Sequence, residues 1–137
     1  MSACTYSRTV HFQDTDSAGV VFFAQILAFC HEAYEASLAA AEIDLPQFFS
    51  DRDGVIMPII STQAKFYQPI YCGDRLSIPF TLEQHGDSRF SLHYQIYKDS
   101  TPERALAHVS TSHICLNAQT RSPIAFPPAI QAWLTRI

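Results

Sequence analysis

Arg75-Leu76-Ser77-Ile78-Pro79-Phe80-Thr81-Leu82-Glu83 exchanges polar and apolar residues at every step. That is the pattern of a β-strand with one buried face. Gly73-Asp74 marks a turn before it and Gly86-Asp87 a turn after it. Phe90, Leu92, Tyr94 and Ile96 then alternate with Arg89, Ser91, His93 and Gln95, giving a second strand of the same kind. Upstream, residues 55–67 read as one long strand interrupted at Pro58, whose missing N–H predicts an edge or a bulge. Downstream, a last strand covers roughly 104–117, and Pro127-Pro128 opens a short helix ending near Arg136.

The first part of the chain has a different period. Residues 5–13 alternate weakly, with Tyr6, Val10 and Phe12 on one face, and predict a strand. From about Phe22 to Glu42 there is no Gly or Pro, and Ala, Leu and Glu are frequent, so this stretch is read as a helix. Its polar residues Gln25, Glu32, Glu35 and Glu42 leave most of the circumference apolar, which predicts a helix wrapped on most sides. Leu45-Pro46-Gln47-Phe48-Phe49 adds a short helical turn before Asp53-Gly54. One strand, a long helix, then four strands is an α+β order. The four later strands pair as an antiparallel meander, and a twisted sheet curling around the helix buries both apolar faces. At about 17–20 residues the helix runs roughly 25–30 Å, enough to be covered by five strands.

The chain has 137 residues, 47% hydrophobic and only 16% charged. With no repeat, low-complexity tract or linker it is read as one domain, residues 1–137. So apolar a composition predicts either an oligomer or an apolar ligand pocket. A net charge of -4 gives no electrostatic reason to bind nucleic acid or an anionic membrane. No window approaches ~20 continuous apolar residues and no signal-peptide layout is present, so the cytoplasm is the expected compartment. Cys4, Cys30, Cys72 and Cys115 form no CxxC pair and are read as reduced thiols. The six histidines lack the short pairing of a zinc site.

Between the first strand and the helix lies Asp14-Thr15-Asp16-Ser17-Ala18-Gly19-Val20-Val21-Phe22-Phe23. An acid ahead of a helix accepts from orphan N–H groups of the first turn, a purely structural use. A carboxylate beside free backbone donors also acts on an electrophile whose oxygen those donors polarise. The residue types alone leave both uses open. Gly19 lets the loop turn tightly and lets a ligand approach the backbone.

The run His11-Phe12-Gln13-Asp14-Thr15-Asp16-Ser17-Ala18-Gly19-Val20-Val21-Phe22-Phe23 resembles the signature of the 4-hydroxybenzoyl-CoA thioesterase family of hotdog-fold proteins. Phe66-Tyr67-Gln68-Pro69 followed by Gly73-Asp74 resembles that family's strand-turn segment. With the element order, the resemblance covers nearly the whole chain. Within the family, Phe29-Cys30-His31-Glu32-Ala33-Tyr34-Glu35-Ala36 is most similar to the branch acting on 1,4-dihydroxy-2-naphthoyl-CoA in phylloquinone synthesis. The resemblance implies a single hotdog domain, a long central helix wrapped by a five-stranded, mainly antiparallel sheet. It implies hydrolysis of an aromatic acyl-CoA thioester without metal or redox cofactor, at sites shared between subunits of a homodimer or homotetramer. Asp16 takes the catalytic position, with Gly19 beside it, and the backbone N–H of Phe23 polarises the thioester carbonyl. The alternatives are 4-hydroxybenzoyl-CoA, aliphatic acyl-CoA or acyl-carrier substrates, or a non-catalytic acyl-CoA-binding protein of the same fold. A dehydratase is disfavoured because no His–acid pairing is evident around the helix.

The chemistry suits that implication. A thioester has a good leaving group, so one carboxylate and one oxyanion donor suffice. Asp16 either attacks the carbonyl carbon to form a mixed anhydride or deprotonates a water. Asp14 is expected to shape the turn or hold the loop by a hydrogen bond. For the acyl pocket the candidates are Phe12, Phe22, Phe23, Ile26 and Met57, although ordinary core packing is the default explanation for each. Ten Phe and six Tyr against one Trp suit a flat ring. For the CoA phosphates the candidates are Ser88 and Arg89 after the Gly86-Asp87 turn, with Arg121 and Lys65 as weaker ones, since surface cations are usually only solvated charge. His31 and Glu32 either reach the site edge or partner a neighbouring element.

Overall fold

Hydrophobic alternation along the strands is satisfied by one sheet laid against a helix. In the computed structural model, which describes residues 4–137, the order is β1 (Cys4–Thr9), a 3-10 turn (Phe12–Asp14), α1 (Gln25–Ala40), α2 (Leu45–Phe48), β2 (Val55–Ile56), β3 (Ile59–Phe66), β4 (Arg75–His85), β5 (Arg89–Lys98), β6 (Thr101–Ile114), β7 (Leu116–Asn117) and α3 (Pro128–Arg136). Five strands form the main sheet in the order β1-β4-β5-β6-β3, while β2 pairs with β7 apart from it. Every strand pairing is antiparallel. The fold is α+β, as expected.

Three expectations change in detail. The meander holds for β4, β5 and β6, but β3 does not neighbour β4; it crosses to the far edge and pairs with β6, Lys65 lying opposite His108. Alternation reports which face a strand buries, not which strand lies beside it. The last strand begins at Thr101, because Asp99-Ser100 turns the chain so tightly that Lys98 pairs with Thr101. It ends at Ile114, since the N–H of Cys115 donates to the carbonyl of Ser88 at 2.7 Å and leads the chain off the sheet. The break at Pro58 is real and separates β2 from β3.

The helix is covered on one side only. Ile26, Phe29, Cys30, Ala33, Tyr34, Ser37 and Leu38 are buried, a stripe at three- and four-residue spacing. They pack on Leu76, Ile78 and Phe80 of β4 and on Phe90, Leu92, Tyr94 and Ile96 of β5. The opposite side, with Ala24, His31, Glu35, Ala36, Ala39 and Ala40, is exposed. The apolar excess that suggested a wrapped helix is mostly alanine, which needs little burial. α3 closes the end of the core, where Trp133 donates to Ser37 Oγ at 2.9 Å. No helix is long and apolar enough to cross a membrane among the described residues.

One buried ion pair sets where the acidic loop begins. Asp14 is buried, and its carboxylate accepts from Arg8 Nη1 at 2.6 Å, the His11 N–H at 2.8 Å and Gln25 Nε2 at 2.9 Å. Its own carbonyl accepts the N–H of Phe22 at 2.9 Å. Arg8 also donates from Nε to Glu32 at 2.7 Å and lies 4.1 Å over the Phe29 ring. Thus β1, the loop and the first turns of α1 meet on one guanidinium. The pull of Asp14 on the His11 N–H also ends the first strand early. Phe12 therefore sits in the 3-10 turn, 84% exposed, instead of sharing the inner face with Val10. Burial pushes the Asp14 carboxyl up, but the hydrogen bonds from Arg8, His11 and Gln25 and the charge of Arg8 outweigh it and hold the carboxyl below its usual range.

Two stability predictions follow from these buried groups. Arg8→Leu leaves the Asp14 carboxylate buried without a cation, and should cost about 3–5 kcal/mol in chemical denaturation at pH 7. Because the folded value of Asp14 is depressed, its stabilisation is complete above about pH 4 and is lost as pH falls through the folded value. His113 acts in a higher window. Stacked on Phe90 at 4.5 Å and bonded through Nε2 to Thr111 Oγ1 at 2.8 Å, it is pushed down to about 4, first by burial and then by His31. The unfolded chain takes up that proton near pH 6.5, so stability should fall by about 3 kcal/mol between pH 6.5 and pH 4. Urea midpoints measured across that range should fall less steeply in His113→Gln.

Candidate active site

The loop after Asp14 is closed by its own backbone. Thr15 bridges Val21, the Asp16 N–H donates to the Val20 carbonyl at 2.8 Å, and the Gly19 N–H donates to the Asp16 carbonyl at 3.0 Å. Gly19 has φ +84°, a conformation that a side chain would strain. The space where its Cβ would stand is open. Val21 ties the loop to the segment after β3, its N–H donating to the Ile70 carbonyl at 2.7 Å.

Asp16 is exposed on this frame. Its Oδ1 accepts from the N–H of Ala18 at 2.8 Å and of Val20 at 3.4 Å, which orients the carboxylate. Oδ2 has no partner among the described residues. Neither acid caps α1, whose N-cap is Ala24 with no side-chain bond. The first helical donors turn back within the helix start, Gln25 to Phe22 and Ile26 to Phe23. The N–H groups of Phe23 and Ala24 are left without partners among the described residues, the ordinary state of a helix N-terminus.

Asp16 and Phe23 line the same cavity, of about 450 Å³. Its walls are Val20, Val21, Phe22 and Phe23 from the loop and Phe66, Tyr67, Gln68, Pro69 and Ile70 from the end of β3. The Phe22 and Phe23 rings stand 4.9 Å apart. A carboxylate, one residue with a free backbone donor, Phe23, and aromatic walls therefore share one opening. Such an arrangement can offer a carboxylate to an electrophile and an N–H to an oxygen that gains charge.

The other residues singled out from sequence are elsewhere in the chain. Ile26 is wholly buried in the core. Phe12 is on the surface and does not line the cavity. Met57 lines a second cavity, of about 470 Å³, with Phe48 and Ile130. Lys65 lines a third, of about 510 Å³, on the outer face of the sheet with His93 and His108. Ser88 and Arg89 lie at the opposite end of the sheet: Arg89 pairs with Ile114, whereas the cavity is built at Phe66, opposite Ala107. Arg121 is exposed in the turn after β7, at φ +62°. Glu32 is spoken for by Tyr6 and Arg8, and His31 is exposed on the helix's outer side. Sequence reasoning missed Arg8 as the anchor, and Tyr67 and Gln68 as walls, although the Phe66-Tyr67-Gln68-Pro69 run was itself a signal. Among the described residues no three His, Cys, Asp or Glu side chains are grouped to hold a metal.

Residues 10–134 match the family model described as the thioesterase-like superfamily. A 1,4-dihydroxy-2-naphthoyl-CoA hydrolase from Thermosynechococcus vestitus is 47% identical over 129 residues, 94% of this chain and 86% of that protein. One from Synechococcus elongatus is 44% identical over 134 residues, 98% of this chain and 96% of that protein. The crystal structure of a 1,4-dihydroxy-2-naphthoyl-CoA thioesterase from Synechocystis superposes with a TM-score of 0.92 at 32% identity, covering 99% of this chain and 98% of that one. In sequence and in architecture alike, the chain belongs to the thioesterase-like superfamily and has its hotdog fold.

Proposed function

We propose that the protein hydrolyses 1,4-dihydroxy-2-naphthoyl-CoA to the free acid and CoA, the thioesterase step of phylloquinone (vitamin K1) biosynthesis, as one catalytic domain in the cytoplasm. The observation that carries this reading is the shared cavity of Asp16 and the unpartnered Phe23 N–H. Relatives spanning nearly the whole chain at 44–47% identity bear the name of that hydrolase. Free thiols at Cys30, Cys72 and Cys115 suit a reducing compartment.

In this reading the Phe23 N–H donates to the thioester carbonyl oxygen, and that bond strengthens as the oxygen gains charge. Asp16 Oδ2 adds to the carbonyl carbon, the C–S bond breaks, and CoA leaves as a thiolate that is protonated by solvent. Water then cleaves the mixed anhydride, releasing the acid and restoring the carboxylate. Gly19 keeps the approach to the carbonyl open. The loop bonds to Oδ1 hold the nucleophile in place, so little entropy is lost at the moment of attack.

The site is completed by a second subunit. β3 is an edge strand exposed along all eight residues. Pairing two such edges about a two-fold axis runs them antiparallel. Each strand's Ile59 end then lies beside the other's Phe66 end. That would carry the partner's Met57, Ser88 and Arg89 toward the cavity of Asp16, joining the acyl and phosphate candidates that one protomer keeps apart.

Asp16→Asn keeps the Oδ1 acceptor for Ala18, so its Tm should stay close to wild type while CoA release falls by about 10³-fold or more. A thiol-release assay with equal turnover in this variant would remove Asp16 from the chemistry. Ile60 is half exposed on β3. Ile60→Glu should convert the dimer to monomers in light scattering and abolish CoA release with it. An active monomer would overturn the shared site.

A further inference from the structure

The reaction uses two of the polar groups that line the cavity and leaves two side chains without a task, the exposed Tyr67 hydroxyl and the Gln68 amide. Gln68 is half-buried in the wall, and its side-chain amide has no hydrogen-bond partner among the described residues. Its backbone is fixed: its N–H donates to the Leu106 carbonyl at 3.3 Å, as the Tyr67 N–H does at 2.9 Å, and Pro69 restricts the residue before it. The amide is thus a donor and acceptor on a rigid support. Around it the wall is Val20, Val21, Phe22, Phe66 and Ile70. Such apolar surface binds a flat acyl ring but cannot tell a hydroxylated ring from a bare one, because an apolar pocket discriminates weakly against an added hydroxyl. A phenolic hydroxyl both donates and accepts, and so does a carboxamide.

We propose that Gln68 determines specificity by hydrogen bonding a ring hydroxyl of the acyl group, so that the site takes hydroxyaryl thioesters in preference to unsubstituted aryl ones. The proposal rests on the thioesterase reading above. Gln68 does not touch the reacting carbonyl, so its loss should act on ring choice and not on the chemical step. Because the residue is only half-buried, solvent can replace part of the bond, and the expected preference is about tenfold and not thousands.

The test compares wild type with Gln68→Met, a near-isostere without the amide, and with Tyr67→Phe, which removes the neighbouring hydroxyl. Folding is checked by thermal unfolding. CoA release is measured on 1,4-dihydroxy-2-naphthoyl-CoA and 2-naphthoyl-CoA, and Kd is measured for the two free acids. Gln68→Met should lower kcat/KM about tenfold for the dihydroxy ester, through KM, and leave the 2-naphthoyl ester unchanged. Its Kd should rise only for the dihydroxy acid. Equal losses of kcat on both esters would overturn the proposal in favour of a water-positioning role, and an altered ratio in Tyr67→Phe alone would move the contact to Tyr67. If no ester is hydrolysed yet the two acids still differ through Gln68, the hydrolase reading fails and ring recognition stands. If the esters are hydrolysed with an unchanged ratio in Gln68→Met, the reverse holds.

Discussion

The contact between Arg8 and Asp14 is what the remainder of the site depends on. An aspartate buried out of water is tolerable only when hydrogen bonds and an opposite charge replace its hydration. Here the guanidinium, one backbone N–H and the Gln25 amide do so. Each donor comes from a different element, so satisfying the carboxylate fixes strand, turn and helix relative to one another. The loop bearing Asp16 starts from that fixed point and returns to it through the Phe22 N–H. Asp16 itself stays exposed, held only through the loop's own N–H groups, while its neighbour two residues earlier is buried.

Two acids only two residues apart, Asp14 and Asp16, therefore have opposite environments, and that division was legible from sequence only in part. The loop-holding role of Asp14 was expected from its place in the run; its partner Arg8 was not. Arg8 sits in a weakly alternating strand where it reads as an ordinary solvent-facing cation. Only the tertiary meeting of β1 and α1 shows that its stem crosses Phe29 and its head enters the core edge. Long-range partners of this kind leave no local period or spacing to read.

The fold was read best where local chemistry decides it. Alternation in β4 and β5 identified Leu76, Ile78, Phe80, Leu82, Phe90, Leu92, Tyr94 and Ile96 as inward residues; all are buried except Leu82, which is partly buried against the core near the end of β4. Order within the sheet was a different matter. β3 looked like the start of a meander, yet it crosses to the other edge, since pairing depends on loop reach and on which edge is open. Helix boundaries drifted by two or three residues at each end, where Phe22 and Phe23 serve as a first turn instead of as helix. The loop motif was legible because its residues are contiguous. The walls from Phe66 to Ile70, and everything at the opposite sheet end, depend on assembly in space.

An uncovered β3 has a cost during biosynthesis. Eight consecutive residues with unpaired backbone on one side form a template that any extended chain can extend. Among the eight side chains only Lys65 is charged, so a newly released protomer carries little protection against pairing with unfolded neighbours. While the edge stays open, the risk of clumping rises with the concentration of other nascent chains. Under the two-fold pairing proposed above, docking of like with like would remove that template, a benefit quite apart from the chemistry.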